Sequence, residues 1–196
     1  MRPRKLQDSK TQKALESSGL RVLASIGMTT SLLLLGWACG TRGTLAQDGG
    51  IVYLRDRLSV VTPETGGSFS PHFAASRNGV GRDSILLIPP TKVRASLQGI
   101  TGPVMLEGIV TPVYNIGDGM QLDIVLIDGG TRRGVYSRYY DPGRKAEDRN
   151  WIPLYIPLDL PRGHDIRIEL MVTAGMQGDL VADWLAVSEL RVVQRT

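Results

Sequence analysis

A regular alternation of apolar and polar side chains is the feature that most constrains how this chain can fold. In the segment DIRIELMVT (165–173), every second residue is aliphatic: Ile166, Ile168, Leu170 and Val172. Successive side chains of a β-strand point to opposite faces, so a period of two predicts a strand with one face in the core and one in solvent. Such strands favour two stacked antiparallel sheets, each of which buries one face against the other.

The same kind of segment recurs along the chain, rich in β-branched and aromatic residues and separated by Gly, Pro, Asn and Asp. It predicts strands over 58–63, 84–90, 92–99, 103–110, 120–128, 133–141, 151–158, 165–173 and 186–194. No helical period of comparable length occurs in this part of the sequence. We therefore predict an all-β sandwich domain over 58–196, preceded by a linker and first edge segment over 42–57.

The N-terminal segment has a different composition. Residues 1–21 carry six basic and two acidic side chains, and the 20 residues from 22 to 41 carry no charge. A helix of this length crosses the roughly 30 Å hydrocarbon layer of a membrane. Because the basic segment precedes the apolar one, the positive-inside rule predicts a cytoplasmic tail over 1–21 and a periplasmic or extracellular C-terminal domain.

Three fates of the apolar segment are open. The first, which we favour, is a single retained transmembrane helix over 22–41, because the apolar run and its basic preamble are long for a signal peptide. The second is a secretory signal that is cleaved after Ala46, in the small-residue sequence TLAQ. The third is lipidation of Cys39, where GWAC resembles a bacterial lipobox only at Ala38. Cys39 is the only cysteine, which excludes an internal disulfide framework.

Charge and motif content exclude several function classes. Residues 47–196 contain 16 basic and 17 acidic side chains, so the pI near 9.4 does not reflect a basic nucleic-acid-binding surface. The sequence has no nucleophile elbow, zincin helix or phosphate-binding loop. His164 and Asp165 are adjacent at the start of a predicted strand and leave it on opposite faces, so they do not form a catalytic dyad. We therefore predict that the protein is not an enzyme.

The segment DRNW contains residues with predicted structural roles. Trp151 begins an apolar strand, and we expect its large side chain to be buried in the core. Asp148 and Arg149 precede it, and we expect them to close the loop 141–150 through charge-assisted hydrogen bonds.

Four segments occur in the order found in galactose-binding-like jelly-roll modules: GDGMQLDIVLIDGG, SRYYDP, DRNWIPLYIPLDLPRGHDIRIELMVTAG and ADWLAVSELRV. The chain resembles this family over about 84–194. The resemblance implies an antiparallel jelly roll of about eight strands, in which Trp151, Asp183 and Trp184 are framework residues. It also implies carbohydrate binding in some members, no known ligand in others, and in some a structural calcium ion.

Sugar-binding faces commonly present aromatic platforms, and only 6% of this chain is aromatic. Tyr139, Tyr140 and Tyr114 are the residues that we expect to form such a platform. Because Tyr139 and Tyr140 are adjacent, one should face outward and the other inward. No calcium-loop or zinc pattern occurs, so the sequence leaves a metal site undetermined.

Two functions remain open. The first is a membrane-tethered, extracytoplasmic accessory subunit that docks on a membrane protein, because tethering raises its effective concentration beside partners in the same bilayer. The second is a carbohydrate-binding module for envelope or extracellular glycans. The expected partners are the lipid bilayer, through 22–41, together with a membrane protein or a glycan.

Overall fold

The structure is a computed structural model, and it describes residues 50–61, 67–176, 178 and 181–195. These residues form eleven β-strands and two short 3-10 turns, Arg55–Arg57 and Ala146–Arg149. The strands are β1 (Ile51–Tyr53), β2 (Ser59–Val60), β3 (Ser68–Arg77), β4 (Val80–Ile88), β5 (Thr91–Ser96), β6 (Gly102–Pro112), β7 (Met120–Asp128), β8 (Thr131–Tyr140), β9 (Ile152–Leu160), β10 (Ile166–Ala174) and β11 (Leu185–Gln194).

The strands form two antiparallel sheets, as predicted from the alternation. One sheet contains the order β4-β11-β6-β9 and the other the order β5-β10-β7-β8, and chain order and spatial order together define a jelly roll. β3 extends the first sheet beside β4, and β1 pairs with the far end of β11, which makes six strands. β2 extends the second sheet beside β5, which makes five.

The core lies between the two sheets and is almost entirely aliphatic. Each strand of the jelly roll contributes alternate side chains, among them Leu87, Leu106, Leu122, Ile168 and Leu185. Burying a side chain of this size contributes roughly 1.5 to 3 kcal/mol. The predicted inward residues of β10 all belong to this cluster, and the period of two therefore places the core face of this strand correctly.

Two strands lie outside the predicted set. β1 has only three residues and exists through its pairing with β11, which is more than a hundred residues away in the sequence. β3 has the sequence SFSPHFAASR, whose proline and polar residues obscure the alternation. Its ladder with β4 is irregular between Ser70 and Phe73, around Pro71, as is common for proline in an edge strand.

The hairpin between β3 and β4 turns at Asn78 and Gly79, which both have positive φ, as the tight Asn-Gly hairpin turn requires. Its tip contacts the segment before β9, where Asn78 Nδ2 lies 2.5 Å from Asn150 Oδ1. Trp151 packs here and is half-buried, which corrects the prediction that it lies in the core. The reason is that Trp151, directly before β9, shares the outward phase of Pro153 and Tyr155, whereas Leu154 points inward.

The predicted N-terminal tail 1–21, the membrane segment 22–41 and Cys39 lie outside the described residues. Within the part of the chain that the structure describes, no helix is long and apolar enough to span a bilayer.

Candidate functional site

The outer face of the five-stranded sheet combines charged, hydrogen-bonding and apolar side chains. We call this surface the polar face. Side chains of β5, β10, β7 and β8 alternate between the core and the outer face. Those on the polar face include Arg94, Ser96, Arg167, Glu169, Met171, Gln121, Asp123, Val125, Arg132, Ser137 and Tyr139.

Glu169 lies at the centre of the polar face and is fully buried there. Arg94 donates to its Oε2 from Nε and Nη2, at 3.1 and 2.6 Å, and Arg132 donates to its Oε1. Burial raises the pKa of the Glu169 carboxyl, but the hydrogen bonds and charges of the two guanidinium groups outweigh it and hold the pKa below its usual range. Glu169 therefore stays ionised and fixes both arginines in place.

A depression with a volume of about 430 Å³ opens beside this ion-pair network, between β7 and β8. Its lining includes Val125 and Met171, and Gly134 lies opposite Val125 in the ladder. A Cβ atom at Gly134 would meet no atom within 4 Å, so the missing side chain leaves this space open. The ladder is irregular between Ile124 and Val125, as at a β-bulge, and such irregularities locally change the direction of side chains.

Three polar side chains form a connected group at the edge of the depression. Gln121 Nε2 donates to Asp123 Oδ1 at 3.1 Å and to Ser137 Oγ at 2.7 Å. Ser137 Oγ in turn donates to Asp123 Oδ1 at 2.6 Å. This edge thus presents a carboxylate, a hydroxyl and an amide that hold one another in position.

Beyond the end of β8, the loop 113–119 lies beside the described residues 175–176 and 181–184 in what we call the apical cluster. The Tyr114 and Trp184 rings pack edge to face, with centroids 5.2 Å apart and planes at 71°. The Tyr139 hydroxyl donates to the Asp118 carbonyl oxygen.

The carboxyl groups of Asp118 and Asp183 contact each other in the apical cluster. Asp183 is fully buried and its Oδ1 receives no hydrogen bond from a protein donor. Burial, and then the hydrogen bond to Asp118, raise the pKa of Asp183 to about 7. Below a pH of about 7 this pair therefore holds a proton.

The described side chains of the apical cluster include two carboxylates, Asp118 and Asp183. Calcium takes about six to eight oxygen ligands, and among the described residues no three or more acidic, histidine or cysteine side chains group together.

The three predicted platform tyrosines do not come together on one surface. Tyr140 is fully buried, with its hydroxyl 3.0 Å from that of Tyr136, so it cannot contact an external ligand, and this part of the prediction is wrong. The physical reason is that β8 is an edge strand whose last inward position still covers the core. Tyr139 faces outward but is half-buried, and Tyr114 lies on a different loop with 39% of its surface exposed.

Asp148 and Arg149 both bind the backbone of the loop that precedes them. Asp148 is buried and accepts hydrogen bonds from Arg138 Nη2 at 2.6 Å and from the Asp141 backbone N–H at 2.8 Å. Arg149 donates from Nε to the Pro142 carbonyl oxygen at 2.6 Å and from Nη2 to that of Gly143 at 3.0 Å. Both residues hold the loop between β8 and β9.

Sequence reasoning missed the Glu169 network, the group around Asp123 and one further hydrogen bond. His164 Nδ1 lies 2.6 Å from Asp128 Oδ1, where the turns at the ends of β7 and β9 meet. The alternation places Glu169 on the outer face, but nothing in the sequence shows that Arg94, 75 residues away, lies opposite it. These partners follow from strand register alone.

Taken together, fold and surface define a jelly-roll β-sandwich with an open polar face. No protein-family model matches the sequence. An uncharacterized protein of Archaeoglobus fulgidus is 29% identical over 76 residues, which cover 39% of this chain and only 19% of that protein.

Several solved structures superimpose partly on this chain. The CBM51 module of Clostridium perfringens GH95, in complex with methyl-galactose, matches with a TM-score of 0.49 and 15% identity over 73% of this chain and 99% of that one. The C-terminal family 22 carbohydrate binding module of Clostridium thermocellum Xyn10B matches with a TM-score of 0.49 and 11% identity, over 74% of this chain and 95% of that one. TmCBM61 in complex with beta-1,4-galactotriose matches with a TM-score of 0.45 and 14% identity, over 71% of this chain and 88% of that one. Matches at this level do not assign the chain to a family or a ligand.

Proposed function

We propose that the β-sandwich is a non-catalytic carbohydrate-binding domain and that its ligand lies on the polar face. The observation that carries this proposal is the depression of about 430 Å³, whose lining combines the apolar Val125 and Met171 with the polar Asp123 and Ser137. A sugar presents both C–H surfaces and hydroxyl groups. It therefore suits a site that combines apolar side chains with a few fixed polar groups.

The ion-pair network supports the same function. The Arg132 side chain is 46% exposed, although its guanidinium is held by the fully buried Glu169 carboxylate. A guanidinium has five N–H donors, so bonding to Glu169 leaves others for ligand hydroxyls. Because these side chains are already ordered, binding costs less conformational entropy than it would on a mobile surface.

Native gel electrophoresis of the full chain in mild detergent, in gels that contain xylan, β-1,4-galactan or solubilised peptidoglycan glycan strands, tests this proposal. We expect at least one polymer to retard the protein and Asp123→Ala or Arg132→Ala to remove the retardation. Ser76→Ala, an exposed change on β3, is the matched control and should migrate like the wild type. Unchanged retardation of both polar-face variants, or no retardation by any of the polymers, would overturn the proposal.

We also propose that residues 22–41 anchor the chain in a membrane with the β-sandwich on the extracytoplasmic side. This rests on the uncharged run and its basic preamble. The intact mass of the protein recovered from membranes tests it, because a retained leader, cleavage after Ala46 and a lipid on Cys39 give three different masses. Only the full-length mass agrees with the anchor.

One observation favours an accessory-subunit role beside carbohydrate binding. The apical loops carry three large and strongly exposed apolar side chains, Ile116 at 65%, Met176 at 83% and Val181 at 69%. Exposed apolar groups that lie close together commonly mark protein interaction sites. Co-purification of a membrane protein in mild detergent that is lost with Ile116→Ser and Met176→Ser together, and kept with the exposed Val80→Ser, would support this role. Retention of the companion by the double variant would exclude the apical loops as its docking site.

A further inference from the structure

We propose that the outer face of the six-stranded sheet carries a second carbohydrate-binding surface, suited to an extended polysaccharide chain. The inference rests on the proposed function but concerns the opposite side of the sandwich. Four residues there stand directly across from one another on neighbouring strands, and we call them the tyrosine row: Tyr53 on β1, Arg191 on β11, Glu107 on β6 and Tyr155 on β9.

The two ends of the tyrosine row are exposed aromatic rings. Tyr53 has 56% of its surface exposed and Tyr155 has 66%, which is more than either Tyr114 or the half-buried Tyr139. Neighbouring strands lie about 4.8 Å apart, so the strands of the two tyrosines are separated by about 14 Å. A single sugar cannot contact both rings at once, whereas an oligosaccharide chain laid across the strands can.

The centre of the row is a charge-neutral ion pair. Arg191 donates to Glu107 Oε2 from Nε at 3.1 Å and from Nη2 at 3.0 Å. Both side chains remain partly exposed, at 32% and 23%, so they are accessible to a ligand. The pair can accept and donate hydrogen bonds without attracting a ligand of either charge.

This arrangement argues for a sugar rather than a protein. The buried centre of a protein interface is depleted of charged residues, and polar groups lie at the rim. The tyrosine row has the reverse order, with the ion pair in the centre and the aromatic rings at the ends. An apolar protein surface would desolvate Arg191 and Glu107 without replacing their water hydrogen bonds, which is costly. The hydroxyl groups of a sugar can replace them.

The sequence of β9 holds one end of the row rigid. Pro153 and Pro157 lie two residues to either side of Tyr155 and point to the same face, and both are exposed. Proline side chains lose little entropy when a ligand binds, and their fixed φ stiffens the strand. Both prolines also lack the N–H that would pair with an added strand at this edge, which disfavours docking of a partner by β-addition.

Two binding surfaces on opposite sheets would let one domain contact two polysaccharide chains or two parts of one chain. Linked contacts raise the apparent affinity for a long polymer much more than for a short oligosaccharide. We therefore expect the tyrosine row to contribute mainly to polymer binding.

The test uses the full chain in mild detergent and compares Tyr53→Ala, Tyr155→Ala and Asp123→Ala in native gels that contain xylan, β-1,4-galactan or solubilised peptidoglycan glycan strands. Val60→Ala, an exposed change on β2, is the control. We expect each tyrosine variant to weaken retardation by the polymer about tenfold, which corresponds to about 1.4 kcal/mol. Melting temperatures close to that of the wild type show that the variants are folded, as expected for exposed residues.

The outcomes separate this inference from the proposed function. Loss of retardation with Asp123→Ala, with both tyrosine variants unchanged, overturns the tyrosine row and leaves the polar face standing. Loss with the tyrosine variants alone supports the row and overturns the polar face as the binding site. A protein companion that is lost with Tyr155→Ala while polymer retardation is unchanged would identify the row as a protein-docking surface and overturn the inference. No retardation of the wild type overturns both proposals.

Discussion

The indole Nε1 of Trp151 donates a hydrogen bond to the carbonyl oxygen of Val80, 3.1 Å away. Arg82 lies over the same ring, with its guanidinium carbon 5.5 Å from the ring centroid. Trp151 precedes β9, and Val80 begins β4, and the two strands are separated by β11 and β6 in the sheet. Trp151 therefore joins the tip of the β3–β4 hairpin to the far edge of the sheet instead of filling the core.

This position predicts a moderate effect of substitutions at Trp151. Trp151→Ala should lower the free energy of unfolding by about 2 kcal/mol, less than the 3 to 5 kcal/mol typical of a buried aromatic residue. Trp151→Phe keeps a ring beneath Arg82 but loses the hydrogen bond, and should cost about 1 kcal/mol. Urea unfolding followed by circular dichroism measures both changes. A cost above 4 kcal/mol for the alanine variant would show that Trp151 is a core residue after all.

Asp148 should be among the most sensitive residues of the loop between β8 and β9. It is buried and accepts hydrogen bonds from both Arg138 and the Asp141 backbone, so Asp148→Ala leaves two donors without an acceptor. We expect a loss of about 3 kcal/mol, as for other broken buried ion pairs. Asp148→Asn retains one acceptor oxygen and should lose less. The exposed neighbour Glu147→Ala is the control, and an equal loss there would contradict this account.

The raised pKa of Asp183 predicts a specific dependence of stability on pH. The folded state holds a proton on the Asp118–Asp183 pair up to a pH of about 7, whereas an unfolded aspartate releases it near 3.8. Between these values the folded state binds more protons, so the free energy of unfolding should fall as the pH rises from about 4 to about 7, with a slope on the order of 1 kcal/mol per pH unit.

Asp183→Asn should remove this slope, because the amide keeps a hydrogen-bonding group beside Asp118 and does not titrate. The exposed Asp159→Asn on β9 should leave it in place. Chemical unfolding at several pH values between 4 and 7 gives the comparison. An Asp183→Asn variant with the same dependence on pH as the wild type would mean that Asp183 is ionised in the folded protein.

Tyr140 tests the correction to the predicted platform. Burial raises the pKa of its hydroxyl far above the usual value, and the hydroxyl hydrogen-bonds to that of Tyr136. Tyr140→Phe should cost about 1 kcal/mol and Tyr140→Ala about 3 to 5 kcal/mol. The polymer should retard the Tyr140→Phe variant as much as it retards the wild type. If Tyr140→Phe were no longer retarded by the polymer but kept its stability, Tyr140 would contact the ligand after all.

The fold was largely predictable because its main signal is local. Alternating residues identify β10 and most strands of the jelly roll, and turn residues separate them. β1 and β3 were missed because a strand of three residues carries too little pattern, and Pro71 interrupts the pattern of the other. β1 is stabilised by a partner strand that is distant in the sequence, and β3 by a ladder that is irregular. A local period shows neither.

The candidate surfaces were much less predictable. Adjacent tyrosines suggested one outward and one inward ring, which is the arrangement of Tyr139 and Tyr140, but the hydrogen bond of Tyr139 to Asp118 could not be foreseen. The exposed rings of Tyr53 and Tyr155 belong to strands about a hundred residues apart in the chain, and they share a surface only through β11 and β6.

By itself, the sequence determined the β-sheet character of the domain, the core face of its regular strands and the contrast between the domain and its uncharged, basic-flanked N-terminal segment. Only the tertiary structure decided which strands are neighbours and in what register. That choice set Glu169 between Arg94 and Arg132 and aligned Tyr53 with Tyr155. The physical reason is that alternation is a property of each strand alone, whereas neighbours and register follow from the packing of all strands around one shared core.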